Sequence, residues 1–347
     1  VSRSRNDDAS IKELLPIKDY FFISMNILIT GGAGFIGSNL TRRLLLENNN
    51  VIVVDNMLTG SLANLESVMS NPNFLLVKQD VTQMNIDQLP PGVDNIDQIY
   101  HLASPASPNH HSKLSYHALA METLMVNSFG TLQMLKLAEK FQAKFLFAST
   151  SEVYGDPQVN PQPESYLGNV STTGERSVYD ESKRFGETLT AYYWRDRQVD
   201  ARIVRIFNTY GPNLSPADMR MIVNFIQQAV KNETITVYGD GKQTRSLCYV
   251  DDTVDGLIRL MNYPNTKDEI VNIGSSEEHT VLEFAEMVKK LTNSTSEIAY
   301  TENAPSDDPQ KRRADITKAQ NLLQWSPKVS LEEGLRRTIE YVRSVIM

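Results

Sequence analysis

Two residues at helical spacing could move a proton. Tyr179 and Lys183, in the run YDESK, lie four positions apart, which on a helix puts both side chains on one face. A phenol ionises near pH 10, too high for an efficient base at neutral pH, and a neighbouring ammonium favours the phenolate. A shift of about 3 pH units corresponds to roughly 4 kcal/mol of differential interaction. Taken alone the pair reads as a surface contact. Upstream, however, the strand-like run KFLFAS at 144–149 closes on Ser149-Thr150-Ser151-Glu152. Hydroxyls at a strand end can hydrogen-bond a substrate hydroxyl, although Ser149 by itself reads as an ordinary polar loop residue.

A second cluster suits an anion. Thr30–Gly37 reads TGGAGFIG and satisfies both Gly32-x-Gly34-x-x-Gly37 and Gly31-x-x-Gly34-x-x-Gly37. Glycines let a backbone turn sharply and approach a pyrophosphate closely. The helix that follows offers free N–H groups and the positive end of its dipole. Asp55 closes the next strand-like run, VIVVD, where a carboxylate can accept from adenosine ribose hydroxyls and repel a 2′-phosphate. Strand, loop, helix, strand and acid together point to NAD rather than NADP. No Gly-Lys-Ser/Thr follows the loop, which argues against a nucleotide triphosphatase.

These residues need a scaffold. Short apolar runs at 25–30, 51–55, 74–80, 99–103, 144–149 and 201–207 alternate with helical stretches at 35–46, about 119–140 and 178–197. That alternation predicts an α/β fold, a doubly wound Rossmann-type parallel sheet covered on both faces. After Asn208 the chain has more Pro, Gly and Asn and shorter elements. The expected organisation is a flexible extension at 1–24, a cofactor-binding domain at 25–207, and a smaller α/β lobe over most of 208–347 that takes the substrate.

The 347 residues carry a net charge of -8 with 34 Lys and Arg against 42 Asp and Glu, which argues against a general nucleic-acid surface. A single cysteine, Cys248, excludes intramolecular disulfides and cysteine zinc sites and suits a reducing compartment such as the cytoplasm. No apolar run reaches the roughly 18 residues of a membrane span. The five histidines, His110 and His111 among them, follow no metal-ligand spacing, so no metal is expected.

TGGAGFIG, Asp55, HLAS at 101–104, STSEVYG at 149–155, YDESK at 179–183 and RIFNTYGP at 205–212 together resemble the extended short-chain dehydrogenase/reductase family over nearly all of 25–340. The resemblance implies NAD along Gly31, Gly34, Phe35, Ile36, Gly37, Asp55, Asn56, Asp80, Val81, Leu102 and Ala103, with Thr150, Tyr179 and Lys183 as the catalytic trio. It also implies a UDP-sugar contacted by Asn208, Arg220, Val237, Tyr238 and Arg245, and a homodimer through the 119–140 and 180–197 helices. Within the family, 4,6-dehydratases follow the threonine with Asp-Glu, whereas here Ser151 holds the Asp position, and a hydroxyl is a poor acid near neutral pH. Thr150-Ser151-Glu152, with SPASP at 104–108, GERSVYDESKR at 174–184, TVYGDGKQTRS at 236–246 and DDPQKRRADI at 307–316, instead resembles the UDP-glucuronate decarboxylases. That likeness implies Ser151, Glu152 and Arg312 beside the sugar carboxylate; the plain alternative for Arg312 is a solvated loop cation. The segment 109–126 is longer than in those decarboxylases and lacks their tyrosine/proline pattern. Two other readings fit the same residues: a 4,6-dehydratase or 4-epimerase of a neutral hexose, and a NAD-sensing scaffold on the same fold, which has no use for the Tyr179–Lys183 pair.

Overall fold

The computed structural model describes residues 24–301 and 311–347; all but the last residue of the expected extension at 1–24 and the start of the 307–316 motif fall outside them. Six of the apolar runs form the strands β1 (Asn26–Thr30), β2 (Asn50–Asp55), β3 (Phe74–Lys78), β4 (Gln98–His101), β5 (Lys144–Thr150) and β6 (Ala201–Ile206). Short strands follow: β7 (Thr209–Tyr210), β8 (Ile235–Tyr238), β9 (Thr244–Arg245), β10 (Cys248–Tyr249), β11 (Ile270–Ile273), β12 (His279–Thr280), β13 (Ile298–Thr301) and β14 (Lys311–Arg312). The central sheet has seven strands in the order β11-β6-β5-β4-β1-β2-β3, every pair parallel. The order reverses between β1 and β4, the switch point at whose strand ends α/β proteins bind ligands.

Alternation along each strand feeds two cores. Ile27, Ile29, Val51 and Val53 face one side, with α1 (Phe35–Leu46) and α6 (Val250–Asn262) packed through Leu40, Leu44, Val254 and Leu257. Leu28, Ile99, Phe145 and Phe147 face the other, under α3 (Thr131–Phe141) and α4 (Ser177–Asp196). The predicted 119–140 helix is interrupted. It comprises α2 (Ala120–Met125), a π-helical turn at Val126–Gly130, and α3. The wide turn aims Asn127 inward, where its Nδ2 donates to Ser104 Oγ (3.0 Å) and Ser182 Oγ (3.1 Å). Such turns recur at functional sites.

Residues 208–347 supply both lobes. Strand β11 extends the central sheet and α6 covers it, while α5 (Met221–Val230), α7 (Val281–Thr292) and α9 (Leu331–Ile346) pack together beside the parallel β8–β13 pair. Helix α8 (Thr317–Leu323) lies against β11. No described helix is long and apolar enough to cross a membrane.

Candidate active site

The ends of β1, β2, β4, β5 and β6 open on one cavity of about 730 Å³. Its floor is the glycine loop. Gly31 sits at φ +72°, and a Cβ there would come 2.8 Å from the Ala103 backbone; one on Gly37 would come 2.1 Å from the Gly31 carbonyl oxygen. Only glycine fits both. Helix α1 starts directly after, with Gly34 at its N-cap and no side chain capping it, so its first amides are left for an anion. Asp55 is buried, and its oxygens accept from Ala33 N (2.9 Å) and Met57 N (2.8 Å). It thus fixes the glycine loop, and a carboxylate's remaining lone pairs suffice for ribose hydroxyls. Burial raises its pKa, against those two amides. Gly34, Phe35, Ile36, Gly37, Asn56, Asp80, Val81, Leu102 and Ala103 line the same cavity. An uncapped helix start, a loop no Cβ could enter and an acid at the second strand's end fit a dinucleotide.

The far wall carries the reactive groups. β5 ends at Thr150, whose Oγ1 accepts from Glu152 N (3.2 Å) and whose hydroxyl is close enough to the Tyr179 phenol to oppose the rise in its pKa. Lys183, one helical turn on, donates to the Ala148 carbonyl (2.8 Å), and its Nζ lies 5.7 Å from the centre of the Tyr179 ring. Burial, and after it the Glu152 carboxylate, raise the Tyr179 phenol above its usual value, with only the Thr150 hydroxyl and Arg220 opposing. Burial pushes Lys183 down to about 7, against the pull of Glu187.

Behind this wall a buried network ties α4 to the sheet. Glu187 accepts from Ser149 Oγ (2.5 Å) and from Arg205 at Nε (2.9 Å) and Nη2 (2.7 Å). Arg205 also donates to Tyr154 Oη (3.0 Å), which donates to Asn272 Oδ1 (2.8 Å). Ser149 is therefore engaged in holding the helix, as a buried strand residue and not the polar loop residue of its plain reading.

Beyond Thr150, Glu152 is clamped by two guanidiniums. Arg312 pairs with both of its oxygens, and Arg176, at the start of α4, pairs with one. Burial opposes the charge, but Arg176 and then Arg312 hold the carboxyl well below the usual carboxylate range. Arg312 arrives on β14, in register with Arg245 of β9. It is buried, not a solvated loop cation.

The sequence pattern of the GDP-mannose 4,6 dehydratase family matches residues 28–338. The chain belongs to the extended short-chain dehydrogenase/reductase family. Among this family's curated members, UDP-glucuronic acid decarboxylase 5 of Arabidopsis thaliana is 51% identical over 313 residues, covering 90% of this chain and 87% of that one. UDP-glucuronic acid decarboxylase 1 of Danio rerio is 49% identical over 315 residues, covering 91% and 72%. Among solved structures, UDP-glucuronic acid 4-epimerase of Bacillus cereus, in complex with UDP-glucuronic acid and NAD, superimposes with a TM-score of 0.81 at 30% identity. That match covers 92% of this chain and all of the other. The cofactor of this family, NAD, is the dinucleotide that the floor fits.

On the family's substrate side the expected residues divide. Asn208 and Arg220 line the cavity with Thr150, Ser151, Glu152, Tyr179 and Lys183, and Arg220 pairs with Asp218 at 2.9 Å. Val237 does not reach it. Alternation along β8 turns Val237 into the core, fully buried, and leaves Tyr238 exposed at the strand end, so a base has no Val237 surface to touch. Arg245 is buried next to Arg312, and its Nη1 donates to the Thr244 carbonyl (2.8 Å); neither arginine is among the residues that line the cavity. Sequence reasoning missed Arg176, which sits three positions before Tyr179 without a pairing signal of its own. It also missed Tyr116, whose ring stacks on Tyr179. No cluster of three or more metal-ligating side chains exists among the described residues.

Proposed function

We infer that the chain converts UDP-glucuronate to UDP-xylose and carbon dioxide with NAD as a recycled cofactor. The observation that carries this is the Glu152 carboxylate held between Arg176 and Arg312 next to the Thr150–Tyr179 pair. Two guanidiniums against one carboxylate leave this corner with a net positive charge, which favours the carbon-6 carboxylate of a uronic acid over the carbon-6 hydroxyl of a neutral hexose. NAD, when bound, supplies the oxidation of carbon 4 and its later reversal. Tyr179 takes the proton of the carbon-4 hydroxyl, and Thr150 holds that oxygen. The resulting ketone is β to the carboxylate, so the bond to carbon 6 breaks with its electron pair flowing into the carbonyl. The enolate oxygen then rests on Thr150 and Tyr179. Carbon 5 gains a proton from solvent, and Tyr179 returns its proton to the carbon-4 oxygen. One proton is consumed and one carbon dioxide released.

The ordinary dehydratase acid is absent, since Ser151 stands in its place, and the curated relatives that cover most of this chain carry the decarboxylase name. The 4-epimerase reading keeps support from the more distant likeness to the solved Bacillus cereus enzyme. Incubation with UDP-glucuronate should give carbon dioxide and UDP-xylose in equal amounts; an epimerised UDP-uronic acid with no carbon dioxide contradicts this.

A homodimer is part of the same reading. Met121, Leu124, Met125 and Phe129 on the 120–130 segment and Phe185 and Tyr192 on the neighbouring α4 leave apolar surface exposed, at the i, i+3/i+4 and i+7 steps of one helical face. Sedimentation at micromolar concentration should give about twice the chain mass. The single cysteine supports a reducing compartment, the cytoplasm, which fractionation of the native cells tests.

A further inference from the structure

The segment between β4 and α2 folds back over the site and is pinned there. Tyr116 N donates to the Ser107 carbonyl (3.0 Å). Ser107 Oγ, Asn109 Nδ2 and Ser112 Oγ donate to the carbonyls of Asp218, Met219 and Ala217 at 3.0, 2.9 and 2.9 Å. This ties the segment to the stretch that carries Arg220. It delivers the Tyr116 ring parallel to that of Tyr179, with centroids 4.8 Å apart and 7° between planes, an offset-stacked arrangement. On its other flank Tyr116 meets His117 at 4.4 Å, and His117 stacks on His110 at 3.8 Å. Tyr116 is 1% exposed.

A buried tyrosine can contribute through its hydroxyl or its ring. Here the hydroxyl is buried with no hydrogen-bond partner among the described residues, which costs stability instead of adding it. The ring has a definite task. The hydroxyl of a tyrosine lies on its χ2 axis, so only a swing about χ1 carries it away, and Tyr179 otherwise has Thr150 beside its tip and the Lys183 ammonium 5.7 Å from its ring centre. We propose that Tyr116 is a positioning residue: its flat ring walls one face of the Tyr179 phenol and blocks the χ1 swing, so that the hydroxyl stays beside Thr150 and directed at the carbon-4 oxygen. The proposal rests on Tyr179 being the proton-transfer group. It gives the long 109–126 segment a task in this chain, that of carrying a wall for the catalytic phenol.

The test compares Tyr116→Phe, Tyr116→Leu and Tyr179→Phe in the NAD-loaded enzyme, with UDP-xylose formation, bound NAD and far-UV circular dichroism as readouts. Tyr116→Phe keeps the stack and should hold kcat within about twofold. Tyr116→Leu should lower kcat about 10- to 100-fold, as ångström-scale misplacement does, with KM within about threefold and NAD content unchanged. If the leucine variant loses NAD or its dichroism, Tyr116→Met, flexible and of similar bulk, is read in its place. Three results overturn the proposal: equal losses for Phe and Leu, a Leu variant within twofold of wild type, or a change confined to KM. Retained activity in Tyr179→Phe overturns instead the assignment of the base, whatever the Tyr116 variants do.

Discussion

Replacing Lys183 with methionine should abolish turnover yet stabilise the fold at mildly acidic pH. The ordinary pKa of the ammonium is 10.5, and burial pushes it to about 7 in the fold, with Glu187 opposing. A folded value below the unfolded one means that the unfolded chain binds more protons between pH 7 and 10.5, so stability rises with pH across that window. Below pH 7 the lysine is charged in both states. At about 1.4 kcal/mol per pH unit, burying that charge costs about 5 kcal/mol relative to a neutral side chain. Methionine removes the cost but also the bond from Nζ to Ala148, worth about 1.5–3 kcal/mol when the donor is charged. Lys183→Met is therefore expected to be more stable than wild type by about 2–3 kcal/mol at pH 6.5. The advantage should shrink by about 3 kcal/mol on moving to pH 9.5, because the wild-type lysine is then folded neutral. Urea unfolding of both cofactor-free proteins at pH 6.5, 8.0 and 9.5, followed by the buried Trp325, measures the difference while other titrations cancel. A wild type that is the more stable at pH 6.5, or a difference flat with pH to within about 1 kcal/mol, refutes the reasoning.

Three further substitutions probe the floor, the sugar end and the wall. Gly37→Ala sets a Cβ 2.1 Å from the Gly31 oxygen and should cost at least about tenfold in NAD affinity, read as cofactor retained through gel filtration. Arg312→Met leaves Glu152 one guanidinium and should cut kcat/KM for UDP-glucuronate by about 100-fold, while the affinity for UDP alone changes less than threefold. Glu187→Gln strands the buried Arg205 and should destabilise the protein by about 3 kcal/mol in urea unfolding; an effect under about 1 kcal/mol would mean that the network is not what holds α4 to the sheet.

The framework is legible because it depends on local pattern. Apolar runs ended by glycine or a polar residue mark β1 to β6 closely at both ends, and the Gly31–Gly37 spacing places the loop against the Asp55 strand. The site is legible where one residue type is chemically irreplaceable, as at Thr150, Tyr179 and Glu152. Sequence fails where the decisive fact is three-dimensional. Val237 and Tyr238 are adjacent in the chain, but strand alternation sends one into the core and the other to the surface. Arg176 gains meaning only from Glu152 and Arg312, which lie far from it in sequence on either side. The π-helical turn at Val126–Gly130 leaves the apolar periodicity of the 119–140 stretch nearly unchanged, so the pattern predicts one helix where the chain makes two.

The central claim is that carbon 4 is oxidised and reduced by one retained cofactor while carbon 6 leaves. UDP-glucuronate carrying deuterium at carbon 4 and a labelled carbon 6 tests it in one experiment on the purified enzyme, without added NAD. The account predicts UDP-xylose that keeps the deuterium at carbon 4, an equal amount of labelled carbon dioxide, and no lasting rise in absorbance at about 340 nm. Labelled carbon retained in the nucleotide-sugar product, or deuterium lost from carbon 4, contradicts it.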